Sequence, residues 1–237
     1  MAAKAWLADL RCSGSARAAI PCEDRRMIVE TFPVGPLQCN CTILGDPATG
    51  AAIVVDPGDE IDRVMERLAG HGLHATSIIH THAHIDHIGG SADLARRTMA
   101  PLLLHDADRP LYEHLDVQAE MLGLDGGRET AATQAIVHGE ELHAGSIAAQ
   151  ILHTPGHTPG SCTLRVALPG GTLLLTGDTL FRGSIGRTDL WGGNFAQIVR
   201  SIHERLLTLD DAARVIPGHG PDTTIGFERT RNPFLRE

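Results

Sequence analysis

Three histidines and one aspartate stand close together in the run THAHIDH at residues 81–87. Imidazole nitrogen and carboxylate oxygen are both good ligands for divalent transition metals. His82 and His84 are two residues apart and would face the same side of an extended segment. Asp86 and His87 are adjacent, so they would reach a second point only where the chain turns into a helix. The spacing therefore suggests two metals rather than one.

Three further candidate ligands follow short apolar segments, each in a loop rich in glycine or proline: His157, Asp178 and His219. Rigid strands that present ligands from loops at one edge are a common way to build a metal site. Taken singly, each histidine could be a surface residue, Asp86 a helix cap and Asp178 a turn residue. Closed structural zinc sites usually contain thiolates, whereas this set holds nitrogen and oxygen donors only. The set therefore predicts an open, catalytic metal site.

The alternation of apolar residues predicts the elements that would position these donors. We expect strands over 27–32, 38–44, 51–55, 77–80, 102–104, 147–153, 162–167, 172–176 and 214–216. We expect helices over 59–69, 91–97, 109–122, 194–206 and 223–229, with Ser91 as an N-cap. The order suggests two β-rich halves, each with helices on its outer face. No linker is visible after residue 25, so residues 26–237 are interpreted as a single domain.

The composition limits the classes of partner. The net charge of −9 argues against nucleic acid or an anionic membrane, and the five cysteines form no recognisable framework. No apolar run reaches the roughly 18 residues of a membrane-spanning helix. These features predict a cytoplasmic protein. Residues 1–25 are interpreted as a poorly ordered extension, and an organelle-targeting role for them stays open.

The complete donor set, His82-x-His84-x-Asp86-His87 followed by His157, Asp178 and His219, resembles that of the metallo-β-lactamase superfamily. The resemblance covers about residues 27–237 and implies an α+β fold, an αββα sandwich of two facing sheets. It also implies that the first metal is bound by His82, His84 and His157. The second would be bound by Asp86, His87 and His219, with Asp178 bridging both. Zinc is the expected metal, with iron or manganese as alternatives.

Within that superfamily the chain resembles the glyoxalase II group, the hydroxyacylglutathione hydrolases. The resemblance rests on PVGPLQCNC at 33–41, DPG at 56–58, GDTLF at 177–181, GSIGR at 183–187 and residues 214–235. The last of these is similar to the short bacterial branch, which lacks the C-terminal helical domain of the full-length enzymes. Arg187 is the candidate for binding a glutathione carboxylate, with an ion pair to Asp189 as the alternative.

The resemblance implies hydrolysis of S-lactoylglutathione to lactate and glutathione by a metal-activated water. Asp86 and Asp178 would then be catalytic, since they would orient that water. One alternative is a persulfide dioxygenase with a single iron on a subset such as His84, His157 and Asp178. Another is a lactonase or other acyl hydrolase. A small-molecule substrate is expected in every case, and the oligomeric state stays open.

Overall fold

The computed structural model of the protein describes residues 27–124 and 130–236. The extension predicted at residues 1–25 lies outside the described residues. The strands are β1 Ile28–Val34, β2 Cys39–Gly45, β3 Ala51–Val55, β4 His74–Ile79, β5 Leu102–His105, β6 Thr133–Ile136, β7 Glu141–Ala144, β8 Ile147–His153, β9 Cys162–Leu168, β10 Gly171–Gly177, β11 Leu180–Phe181, β12 Ser184–Ile185, β13 Arg214–Pro217 and β14 Thr223–Thr224. The helices are α1 Ile61–Gly70, α2 Ile85–Ile88, α3 Ser91–Thr98, α4 Arg109–Tyr112, α5 Leu115–Leu122, α6 Phe195–Ser201 and α7 Ile225–Arg231.

The strands form two six-stranded mixed sheets and a small hairpin of β11 and β12. The first sheet has the order β1-β2-β3-β4-β5-β6, antiparallel up to β3 and parallel from β3 onwards. The second has the order β14-β13-β10-β9-β8-β7, in which only β10 and β13 are parallel. The strands predicted over 38–44 and 51–55 pair as the antiparallel hairpin of β2 and β3.

The two sheets face each other across an aliphatic core, and helices cover their outer faces. Strand β3 shows why: Ile53 and Val55 pack into the core between the sheets, whereas Val54 packs outwards against α1 and α3. Because successive side chains of a strand point to opposite faces, a strand buried on both sides must be apolar throughout. Strand β10 is built alike, with Leu174 packing outwards towards α6. The αββα sandwich and the α+β class are thus confirmed.

The helix predicted over 109–122 is wrong in one respect, because the structure divides it into α4 and α5. His114 leaves helical geometry, with φ −118° and ψ 37°, and its Nδ1 lies 2.8 Å from the carbonyl oxygen of Pro110. The carbonyl of Leu111 accepts hydrogen bonds from His114 N at 3.2 Å and from Gln118 Nε2 at 2.9 Å. Gln118 also bonds Ala83 and Ile85, so the break places it against the histidine run.

Other differences are local. Gly90, not Ser91, is the N-cap of α3, and the hydroxyl of Ser91 lies 2.5 Å from His80 Nε2. Beyond Ser201 the helix predicted to Leu206 continues as a π-helix over Ile202–Leu206. Strands β6 and β7 were not predicted, because these short edge strands carry exposed polar residues and no apolar run. Within the described residues, no helix is long and apolar enough to cross a membrane.

Candidate metal centre

The seven predicted ligands come together at one edge of the sandwich, where each follows the C-terminal end of a strand. The segment after β4 is extended at His84 and then forms the short helix α2 over Ile85–Ile88. The chain thus turns into a helix where the sequence required it for Asp86 and His87 to reach a second point. The other three ligands lie after β8, β10 and β13.

His82, His84 and His157 form a buried cluster whose ligand atoms all lie within 4.8 Å of one another. His84 Nδ1 and His157 Nε2 are 2.9 Å apart. Burial and the neighbouring imidazoles lower the pKa of His82 well below its usual value and that of His84 to about 3. Both rings are therefore neutral at ordinary pH, and a neutral imidazole has a free lone pair for a metal. We call these three residues the tri-histidine cluster.

Asp86, His87 and His219 form a second group within the same 4.8 Å limit. His219 Nε2 lies 3.1 Å from Asp86 Oδ2 and 3.2 Å from His87 Nε2. Burial alone would raise the pKa of Asp86, but His87 and His219 hold it well below its usual range. Asp86 is therefore ionised at neutral pH. We call these three residues the mixed cluster.

The carboxylate of Asp178 lies between the two clusters. Its Oδ1 is 3.3 Å from His87 Nε2 and 3.7 Å from His219 Nε2, while Oδ2 is 3.6 Å from His157 Nε2. One oxygen therefore faces the mixed cluster and the other the tri-histidine cluster. Burial would raise the pKa of Asp178, but the nearby histidines lower it, so this carboxylate is also ionised.

Two buried atoms test whether the arrangement fits a metal. Within the described part of the chain, His82 Nε2 and Asp178 Oδ1 are buried side-chain atoms without a hydrogen-bond partner. An unsatisfied buried polar atom costs about 1–3 kcal/mol, and native structures contain few of them. Cations ligated by these atoms would satisfy both. The residues therefore fit divalent transition metals, in a nitrogen and oxygen set typical of catalytic sites.

Contacts behind the ligands fix the orientation of two rings. His87 Nδ1 donates to Asp56 Oδ2 at 2.9 Å, and His157 Nδ1 donates to the carbonyl oxygen of Arg187 at 2.8 Å. Asp56 also accepts from both the backbone and the hydroxyl of Thr81, at 2.8 Å and 2.6 Å. Such outer contacts select the tautomer and present Nε2 to the centre. Cys39 Sγ, 3.4 Å from His87 Nδ1, lies on this outer side as well.

Close packing explains one of the glycines beside the ligands. A Cβ on Gly218 would lie 2.2 Å from Asp178 Oδ1 and 2.6 Å from His87 Cε1. Any larger residue would thus displace two ligands at once. This position is glycine because the backbone before His219 passes directly against the centre.

The family model described as the metallo-beta-lactamase superfamily matches residues 34–219, which is most of the chain. The chain belongs to the metallo-beta-lactamase superfamily. The chain is similar to an uncharacterized protein of Mycobacterium leprae, which is 40% identical, with 88% of this chain and 99% of the relative aligned. Hydroxyacylglutathione hydrolase GloC of Haemophilus influenzae is 36% identical, with 88% and 98% aligned.

Solved structures of the superfamily resemble the whole sandwich. The B3 metallo-beta-lactamase BLEG-1 has a TM-score of 0.80 and 33% identity, covering 89% of this chain and 100% of its own. TTHA1623 in a di-iron-bound form has a TM-score of 0.78 and 38% identity, covering 87% and 100%. ETHE1 from Myxococcus xanthus has a TM-score of 0.72 and 31% identity, covering 87% and 84%. One of these structures is in a di-iron-bound form, so the comparison supports a metal centre at the His/Asp clusters of this chain without identifying the metal.

Arg187, predicted to bind substrate, is exposed in this superfamily member and pairs with Asp189. Its Nε and Nη2 donate to the two carboxylate oxygens of Asp189, both at 2.8 Å. The structure has the ion pair with Asp189 that was the alternative interpretation of Arg187. Binding of substrate by Arg187 stays a prediction. No residue pattern indicated that the backbone carbonyl of Arg187 would hold His157.

Proposed function

We propose that the chain is a binuclear metallohydrolase acting on thioesters, with S-lactoylglutathione as substrate and lactate and glutathione as products. The observation that carries the proposal is the position of Asp178, whose Oδ1 faces the mixed cluster while Oδ2 faces the neighbouring tri-histidine cluster. A single-metal site needs only one such cluster. The likeness to GloC over nearly the full length of both chains supports the choice of substrate class.

In this proposal His82, His84 and His157 hold one cation, and Asp86, His87 and His219 hold the other, with Asp178 shared. Two divalent cations, zinc in the first instance, would activate water near neutral pH and polarise the thioester carbonyl. The carboxylates of Asp86 and Asp178 are ionised, so they would be able to accept hydrogen bonds from a water at the centre and orient it towards the carbonyl carbon. The leaving thiol has a pKa of about 8.5, so it departs without a strong general acid.

Arg187 would bind a carboxylate of the glutathione moiety. Its guanidinium already engages the Asp189 carboxylate through two parallel hydrogen bonds, which is the geometry a substrate carboxylate would offer. Binding would then exchange one carboxylate partner for another at an exposed position. The proposal therefore needs no rearrangement of buried groups.

The test is an assay of the purified, metal-replete protein with S-lactoylglutathione, in which hydrolysis is measured as the loss of the thioester absorbance. His84→Ala should abolish the activity, and His143→Ala, at an exposed position on β7, should not. Oxygen consumption with glutathione persulfide, measured in parallel, distinguishes the proposed hydrolase from the dioxygenase alternative. Turnover of the persulfide without thioester hydrolysis would replace the proposal by that alternative.

A further inference from the structure

The carboxylate of Asp108 joins the two loops that carry the tri-histidine cluster. Asp108 is fully buried at the end of a short 3₁₀ turn that follows β5. Its Oδ2 accepts from the backbone N–H of Ala83 at 3.0 Å and from the hydroxyl of Thr158 at 2.7 Å. Its Oδ1 accepts from the backbone N–H of Gly160 at 2.6 Å. One carboxylate thus holds both loops.

The backbone of the first loop is held by hydrogen bonds to the side chains of Asp108 and Gln118. Ala83, between His82 and His84, donates its N–H to Asp108, and its carbonyl accepts from Gln118 Nε2 at 3.2 Å. The N–H of Ile85, on the other side of His84, donates to Gln118 Oε1 at 3.0 Å. These bonds take the place of strand-to-strand hydrogen bonds in this loop, because strand β4 ends at Ile79. The separation of His82 and His84 therefore depends on where Asp108 and Gln118 hold the backbone.

The second loop is fixed beside His157. Thr158 bonds Asp108 through its hydroxyl, which also lies 2.7 Å from the hydroxyl of Ser161. A Cβ on Gly160 would lie 2.6 Å from Asp108 Cγ, so the glycine lets the carboxylate approach the backbone. A carboxylate binds N–H groups more strongly than a neutral acceptor does, which suits a junction of two loops.

The mixed cluster has separate supports. His87 is held by Asp56, and the His219 loop is held by Asn40, whose Nδ2 donates to the carbonyls of Pro217 at 2.9 Å and Gly220 at 3.0 Å. The partners of Asp108 are Ala83, Thr158 and Gly160, which lie outside both His87 and the His219 loop. Asp108 therefore supports the tri-histidine side of the centre, whereas Asp56 holds His87 and also bonds Thr81 beside His82.

We propose that Asp108 is a positioning residue that sets the metal affinity of the tri-histidine cluster independently of the mixed cluster. It acts by keeping three imidazoles from two loops at a fixed separation through their backbones. The inference rests on the two-metal centre of the proposed function, and it assigns the two metal positions separate determinants of affinity.

The test is Asp108→Asn in the full-length, metal-free protein, titrated with zinc against a chromophoric chelator. The amide keeps only one acceptor oxygen, so either Ala83 or Gly160 loses its partner. We expect one of the two dissociation constants to rise about 10-fold or more, as is typical when support behind a metal ligand is lost. The other should match that of the wild type. Histidine ring ¹⁵N spectra at one zinc equivalent should show His87 and His219 ligated while His82 and His157 are free.

Glu228→Gln is the matched control. Glu228 is also a fully buried carboxylate with three bonds, to the Thr223 hydroxyl at 2.5 Å, Gly183 N at 2.9 Å and Asn232 Nδ2 at 2.8 Å. None of its partners belongs to either ligand loop, so both dissociation constants should stay at the wild-type values. Thr158→Val removes the hydroxyl of the second loop, with its contacts to Asp108 and to Ser161, and should weaken the same position as Asp108→Asn.

The outcomes separate the two proposals. Folded Asp108→Asn with both dissociation constants unchanged, or with both raised alike, overturns the role of Asp108. If Asp108→Asn does not fold, Thr158→Val decides by the same criterion. A wild type that binds two zinc ions but hydrolyses no thioester contradicts the proposed function alone, while a wild type that binds no second zinc overturns both.

Discussion

Asp56 Oδ2 accepts a hydrogen bond from His87 Nδ1 at 2.9 Å and thereby determines which nitrogen of His87 faces Asp178. A carboxylate can only accept, so Nδ1 carries a proton and Nε2 is the nitrogen that faces the centre. Asp56 is itself held by Thr81, one residue before His82, at a left-handed φ of 52°. A single buried carboxylate thus connects the start of the histidine run with its end.

Asp56→Asn tests that connection. The amide can turn its NH₂ towards His87, which removes the selection of the tautomer, so zinc affinity should fall about 10–100-fold. Chelator competition measures the affinity. Asp46→Asn is the control, because Asp46 is a buried carboxylate that accepts from the backbone of Ala48 and Ser146, both at 2.8 Å. Equal zinc affinity in Asp56→Asn and the wild type would contradict this role.

Gly218→Ala tests the close approach of the backbone to the ligands. The added Cβ would meet Asp178 Oδ1 at 2.2 Å, and displacement of a reacting group by about 1 Å can cost about 10²-fold in rate. We expect a loss of that order in thioester hydrolysis, with the circular dichroism spectrum retained. Gly70→Ala is the control, since among the described residues no atom outside its own helix backbone and chain neighbours lies within 4 Å of its added Cβ. Wild-type rates in Gly218→Ala would show that the glycine is not required.

Metal removal should destabilise the protein. With free zinc about 100-fold above the dissociation constant, each site adds roughly 2.7 kcal/mol to the free energy of unfolding. Removal of metal by a chelator would leave His82 Nε2 and Asp178 Oδ1 buried without any partner. The melting temperature should therefore fall with chelator and recover with zinc. A melting temperature that changes with neither chelator nor zinc would argue against a metal at these atoms.

The stability of the metal-free protein should depend on pH partly through His105. Its ring stacks on His153, with centroids 4.0 Å apart, and Asp106 is the charged neighbour. Burial and His153 lower the pKa of His105 below its usual value of about 6.5, although Asp106 raises it. The unfolded chain therefore binds more protons below about pH 6.5, and stability falls as the pH falls through that region.

His105→Gln should make this decline shallower. Urea unfolding at a series of pH values from about 8 down to 5 gives the slope for each variant. His143→Gln, at an exposed position, serves as the control and should keep the wild-type slope. A variant at His105 with the wild-type slope would mean that the stacked pair does not contribute.

The sequence predicted much of the fold and the convergence of the donors, because both follow from periodicity and from strand-end positions. Asp178 and Asp108 show where this reasoning ends. Both follow apolar strands and look alike in sequence, yet one faces the metal ligands and the other binds backbone N–H groups. The partner of a carboxylate depends on tertiary contacts that spacing does not encode. The carbonyl of Arg187 leaves no trace in sequence at all, since every residue has one.

The proposed function needs a two-metal centre, shared through Asp178, that hydrolyses a thioester. It is tested by a titration of metal-free protein with zinc while the rate of S-lactoylglutathione hydrolysis is followed. We expect the rate to saturate at two equivalents of zinc per chain, because both clusters must be filled. Full activity at one equivalent, or no hydrolysis at two, would contradict it.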